Sequence, residues 1–134
     1  MSTFPLKIVT PDGLIYDGSA ERLIVRSTTG DLAIMARHIN FVTPLGMGRA
    51  IIVSGGIRRT AACIGGMLSV VNGSVTLVPT TFEWSDKIDL ERADAAYQRA
   101  NAILKNPQAS ENDLKLAEAK LRRALVRKSV ASNK

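Results

Sequence analysis

The chain reads as an α+β protein with its strands first and its helices last, and three features carry that reading. Up to about Trp84, short β-branched runs alternate with Asp-Gly, Gly-Gly and Asn-Gly pairs, the punctuation of tight hairpins. Beyond Trp84 the apolar period lengthens from two to about 3.6 residues. Charge shifts as well: residues 1–84 hold 7 basic and 5 acidic residues, and residues 85–134 hold 11 and 7.

Each strand follows from its own pattern. FPLKIVT (4–10) alternates apolar and polar residues, and Pro11-Asp12-Gly13 turns it. LIY (14–16) is expected to turn at Asp17-Gly18, and RLIVRS (22–27) at Thr29-Gly30-Asp31. IIVS (51–54) leads to Gly55-Gly56, LSVV (68–71) to Asn72-Gly73, and VTLV (75–78) follows. Strands this short and regularly spaced predict a β-sandwich or a barrel.

The helices follow next. Leu90, Ala93, Tyr97, Ala100 and Leu104 form one stripe, with Asp89 as N-cap and Pro107 as the stop. Ser110 to Asp113 resembles a capping box, with Asp in place of the usual Glu. It opens a second stripe of Leu114, Ala117, Leu121 and Ala124. The short connection predicts antiparallel neighbours. Alanine buries little area at about 25 cal/mol per Å², so this hairpin is expected to be weakly held and a candidate mobile element.

Composition bounds the function. A chain of 134 residues, 46% hydrophobic and 22% charged, is a soluble globular protein with one core or a core plus a small appendage. Aromatic residues make up 4%, so the core is expected from Val, Ile, Leu and Ala. The single Cys63 excludes an internal disulfide and suits a reducing compartment. No apolar run nears the roughly 20 residues of a membrane span. MSTFPLKIVT lacks the pattern of a signal peptide, so membrane association is expected only through partners.

No catalytic set emerges. His38 and Cys63 are each the sole residue of their type; Cys63 lies in the apolar AACIGG stretch and reads as a buried, inert thiol. No metal spacing and no phosphate-binding glycine loop is present. From Lys115 onward, seven basic residues (Lys115, Lys120, Arg122, Arg123, Arg127, Lys128 and Lys134) face one acid, Glu118. That end is drawn to acidic surfaces, but it lacks the aromatics that stack nucleic-acid bases. A solvated basic face is its simplest reading. His38, in a loop beside Arg37, reads equally as a partner contact or as a surface residue without a role.

One stretch, SDKIDLERADAAYQRA (85–100), holds a sharper alternative. Arg92 and Arg99 are two turns apart on one helix edge, a spacing suited to phosphate, with Asp89 and Glu83 nearby to accept hydrogen bonds or orient the arginines. An ordinary capped helix start accounts for the same residues, and spacing alone favours it.

The order of parts then matters. FPLKIVTPDGLIYDG, GDLAIMARHINFVTPL, the Gly-Gly and Asn-Gly hairpins and IDLERADAAYQRA, in this order and over the whole chain, resemble the epsilon subunit of bacterial F-type ATP synthases. The resemblance implies an antiparallel ten-stranded β-sandwich over residues 1–84 and a regulatory two-helix hairpin over residues 85–134. It implies a non-catalytic rotor subunit on the cytoplasmic face of the cell membrane. Its sandwich would meet the gamma subunit and the proteolipid c-ring. Its hairpin would fold down, or extend toward the alpha and beta subunits and inhibit ATP hydrolysis.

Some members bind ATP as a regulatory ligand through I/L-D-x-x-R-A, which Ile88, Asp89, Arg92 and Ala93 match. Glu83 and Arg99 fall where those members place ligand residues, and Arg122 is the expected contribution of the second helix. Val126, one turn on, is uncharged. Whether magnesium accompanies the nucleotide stays open. His38, Arg122, Arg123 and Arg127 are the expected partner contacts. Where the family commonly reads P-G-H-x-P, this chain has Ala36-Arg37-His38-Ile39-Asn40. A purely structural coupling subunit without nucleotide sensing is the alternative.

Overall fold

The structure is a computed structural model that describes residues 2–132. The chain divides into two compact units, Met1–Trp84 and Ser85–Lys134. The first holds, among the described residues, ten strands: β1 (Phe4–Thr10), β2 (Gly13–Ala20), β3 (Arg22–Ser27), β4 (Gly30–Met35), β5 (Phe41–Pro44), β6 (Met47–Ser54), β7 (Ile57–Ile64), β8 (Met67–Val71), β9 (Ser74–Val78) and β10 (Thr81–Trp84). They form two five-stranded sheets, ordered β2-β1-β9-β8-β5 and β10-β7-β6-β3-β4.

Alternation builds the core. Phe4, Leu6 and Ile8 of β1 are buried while Pro5 and Lys7 are exposed. Leu23, Val25, Ile34, Ala50, Ile52, Ala61, Leu68, Val70, Val75 and Leu77 join them between the sheets. This is the aliphatic core expected of a chain poor in aromatics. Cys63 belongs to it, and burial pushes its thiol up to about 12, so it stays protonated and unreactive at neutral pH.

Two hairpins confirm their local chemistry. Gly55 and Gly56 (φ 58° and 75°) link β6 to β7, and Asn72 and Gly73 (φ 50° and 82°) link β8 to β9. Two successive positive φ values match the right-handed strand twist. Asp17-Gly18 is a correction. It does not turn: β2 runs through it, with Asp17 opposite Lys7 and Gly18 opposite Leu6. The register shifts between Ile8 and Val9 instead, leaving Ile15 as the extra residue of a bulge. The Tyr16 hydroxyl donates to the Ser19 carbonyl at 2.7 Å and its ring lies over Gly18, so long-range pairing overrides the dipeptide. β1 and β9 pair in parallel, Leu6 opposite Val75. No hairpin joins these two strands, so nothing local dictates their sense.

Gly65 and Gly66 (φ 68° and 98°) carry the chain from β7 in one sheet to β8 in the other. The Gly65 N–H donates to the Gly46 carbonyl at 3.0 Å, and the Gly66 carbonyl accepts from Leu45 N–H at 2.8 Å.

Arg37 is a non-glycine residue in the left-handed region, at φ 67°, where L side chains are strained. It occupies the glycine position of the pattern described above. We expect Arg37→Gly to stabilise the chain by about 0.5–1 kcal/mol, read as a rise of several degrees in melting temperature. A fall would show that the arginine side chain contributes more than its backbone costs.

Candidate functional site

The second unit begins with a 3₁₀ turn, Ser85–Lys87, followed by α1 (Leu90–Leu104) and α2 (Glu111–Ser132). Both helix starts are capped as their sequences predict. Asp89 Oδ1 accepts from Arg92 N–H at 3.1 Å, and Ser110 Oγ accepts from Asp113 N–H at 3.0 Å. One of the N–H groups at the α1 start is thus satisfied by its own cap.

The helices pack through alanine. Ala93 and Ala100 on α1, and Ala117, Ala124 and Ala131 on α2, are buried. Their seven-residue spacing keeps each set on one line down its helix. Tyr97, Leu104, Leu114 and Leu121 are half-buried, while Leu90 is 45% exposed; in the first turn it precedes the packed layers.

The antiparallel register is marked by Lys128, whose Nζ lies 2.8 Å from Asp94 Oδ1 and 4.4 Å from the Tyr97 ring centroid. This contact orients the pair. At about 100° per residue, Asp94 and Tyr97 lie to one hand of the alanine line on α1, and Lys128 lies to the same hand on α2. Antiparallel helices bring like-handed edges together, so the opposite edges also share a side. Arg92 and Arg99, each one residue before a buried alanine, occupy that edge on α1. Arg123, one residue before Ala124, and Arg127, four before Ala131, occupy it on α2.

Axial levels agree. Arg99 follows Asp94 by five residues and Arg123 precedes Lys128 by five, so at about 1.5 Å per residue both lie roughly 7.5 Å along from the Asp94–Lys128 contact.

Arg122 falls elsewhere. It stands two residues before Ala124, roughly 160° from the alanine line. Its Nη2 donates to Glu118 Oε1 at 2.9 Å on the exposed outer face. The structure therefore gathers Arg92, Arg99, Arg123 and Arg127 on one edge and turns Arg122 away from it. Counting from Ala117 and Ala124 would have exposed that phase in the sequence; matching a motif position does not.

The guanidiniums of Arg92 and Arg99 are exposed, with no hydrogen bond or ion pair among the described residues. Guanidinium forks of this kind suit bidentate contact with phosphate oxygens. Ile88 is buried at 7% exposure and Ala93 at 5%; neither offers a side-chain polar atom, so both act through packing and backbone. Glu83 lies in the sandwich unit, on β10 opposite Ala62. His38 also lies there; its Nδ1 sits 2.9 Å from the Ile39 carbonyl and its ring is tilted 36° against Phe41 at 5.1 Å. No helix among the described residues is long and apolar enough to cross a membrane.

The described residues thus form a ten-stranded β-sandwich followed by an alanine-packed helical hairpin edged with arginines. Two family models together match nearly the whole chain: the ATP synthase delta/epsilon chain beta-sandwich domain over residues 3–85, and the long alpha-helix domain of the same chain over residues 86–132. The chain belongs to the ATP synthase delta/epsilon chain family.

Similar proteins include the ATP synthase epsilon chain of Bacillus pumilus, 40% identical over 131 residues with 98% of each chain covered. That of Bacillus velezensis is 41% identical, covering 99% of this chain and 100% of the relative. Among solved structures, a chain of the Euglena gracilis mitochondrial ATP synthase OSCP/F1/c-ring assembly shares the fold with a TM-score of 0.85 at 20% identity, covering 100% of this chain and 83% of that one. A chain of the Tetrahymena thermophila central stalk/c-ring structure does so with a TM-score of 0.62 at 12% identity, covering 95% of each.

Proposed function

We propose that this chain is a non-catalytic central-stalk subunit of a bacterial F-type ATP synthase, whose hairpin restrains ATP hydrolysis and closes around ATP. The observation that carries the regulatory part is the arrangement of the hairpin. Helices packed on alanine gain little by closing, and one edge of the closed pair lines up four arginines. A polyphosphate bound along that edge bridges the two helices, so it favours the closed pair by its difference in affinity between the two states. Arg92 and Arg99 contribute from α1, Arg123 and Arg127 from α2, with Asp89 as an acceptor for the nucleoside.

Family membership and the two fold neighbours, which come from an OSCP/F1/c-ring assembly and a central stalk/c-ring structure, support the sandwich as the part held by the gamma subunit and the proteolipid ring, with His38 at a contact loop. The exposed Arg122 suits an acidic face of the alpha or beta subunits instead. Membrane attachment, at the cytoplasmic face, then comes through those partners. Removing residues 87–134 is expected to raise ATP hydrolysis of the assembled complex several-fold, measured by coupled assay at limiting and saturating ATP. Unchanged hydrolysis would reduce the hairpin to a passive strut in a structural coupling subunit.

A further inference from the structure

We infer that Lys128 is an electrostatic clasp that holds the two helices of the hairpin closed without any nucleotide. Its ammonium meets two groups of the other helix at once, the Asp94 carboxylate at 2.8 Å and the Tyr97 ring face at 4.4 Å. The Lys128 side chain is only 31% exposed, so the pair is screened less than a fully solvated one. Both partners lie on α1 and the lysine on α2, so the contact exists only while the helices lie antiparallel, and any state that splays them loses it.

The clasp sits on the edge opposite the four arginines. It therefore neither competes with an anion bound there nor requires one. An exposed ion pair alone contributes little, but here it acts on helices whose alanine packing is weak, and a cation over an aromatic ring adds a comparable share. The result is a bias toward closure that depends on ionic strength, set by the chain itself, with nucleotide binding as a separate input. It stands whether or not the chain binds ATP.

The test is hydrogen–deuterium exchange of the α2 amides in the full-length, nucleotide-free chain, comparing wild type with Lys128→Met, Asp94→Asn and the double variant. Methionine keeps the helix propensity and apolar stem while removing the charge. Each single variant is expected to speed exchange in the C-terminal half of α2 by about five-fold, and the double variant no more than the faster single. Molar salt should speed wild type and leave Lys128→Met unchanged. Lys120→Met, a substitution of an exposed lysine on the same helix, serves as the control and should exchange like wild type. Wild-type exchange in both single variants, or effects that multiply in the double, would overturn the clasp.

Discussion

Gly66→Ala lowers the melting temperature of the chain by more than about 12 °C, or prevents folding altogether. Gly66 sits at φ 98° where the chain crosses between sheets. A Cβ there would press against the Val78 carbonyl oxygen and lie 2.6 Å from Pro79 Cα. Both obstacles are backbone, so no side chain can swing aside. The β7–β8 crossing would have to move, and with it the bond from Leu45 N–H to the Gly66 carbonyl. A cost above about 3 kcal/mol follows from backbone displacement added to left-handed strain. For a domain of this size each kcal/mol is worth about 4–8 °C. Gly73→Ala separates the two contributions, because Gly73 has φ 82° but open space around its Cβ position. It should cost about 1 kcal/mol. Similar losses at both positions would show that conformation alone, not the crossing, decides.

Arg92→Ala or Arg123→Ala weakens ATP binding by roughly 10- to 150-fold, while Arg122→Ala leaves it within about three-fold. Each lost charge-assisted contact to a phosphate is worth about 1.5–3 kcal/mol. Arg92 and Arg123 stand on different helices but on the same edge, so removing either takes away half of one helix's share of the bridge between α1 and α2. Arg122 already has Glu118 as its partner at 2.9 Å on the outer face. None of the three substitutions touches the alanine layers, so hairpin helicity by circular dichroism should be retained in each. That separates lost binding from lost structure.

The parts of this fold that were legible in the sequence are those with a local cause. Asn72-Gly73 and Gly55-Gly56 announce their hairpins because positive φ at both residues is a property of the dipeptide. Asp89 and Ser110 announce their caps because the N–H groups they accept from are three residues away. Asp17-Gly18 carries the same local signal and misleads, because pairing with Lys7 and Leu6 across β1 outweighs it. The sheet crossing at Gly65-Gly66 looks like any glycine turn until Val78 and Pro79 are placed beside it.

The candidate site divides in the same way. Ile88, Asp89, Arg92 and Arg99 follow from one motif and one helical period. The choice between Arg122 and Arg123 depends on the phase of α2 against α1, which the line of Ala117, Ala124 and Ala131 sets and a motif position does not. The Asp94–Lys128 contact joins residues on different helices, and nothing in either segment marks the other.

The most direct measurement is calorimetric titration of the full-length chain with ATP, comparing wild type, Arg122→Ala and Arg123→Ala in one buffer, with and without magnesium. The arginine edge predicts that wild type and Arg122→Ala bind alike and that Arg123→Ala binds at least tenfold more weakly. Loss of binding in Arg122→Ala with Arg123→Ala unaffected, or no binding by the wild-type chain at millimolar ATP, would contradict it.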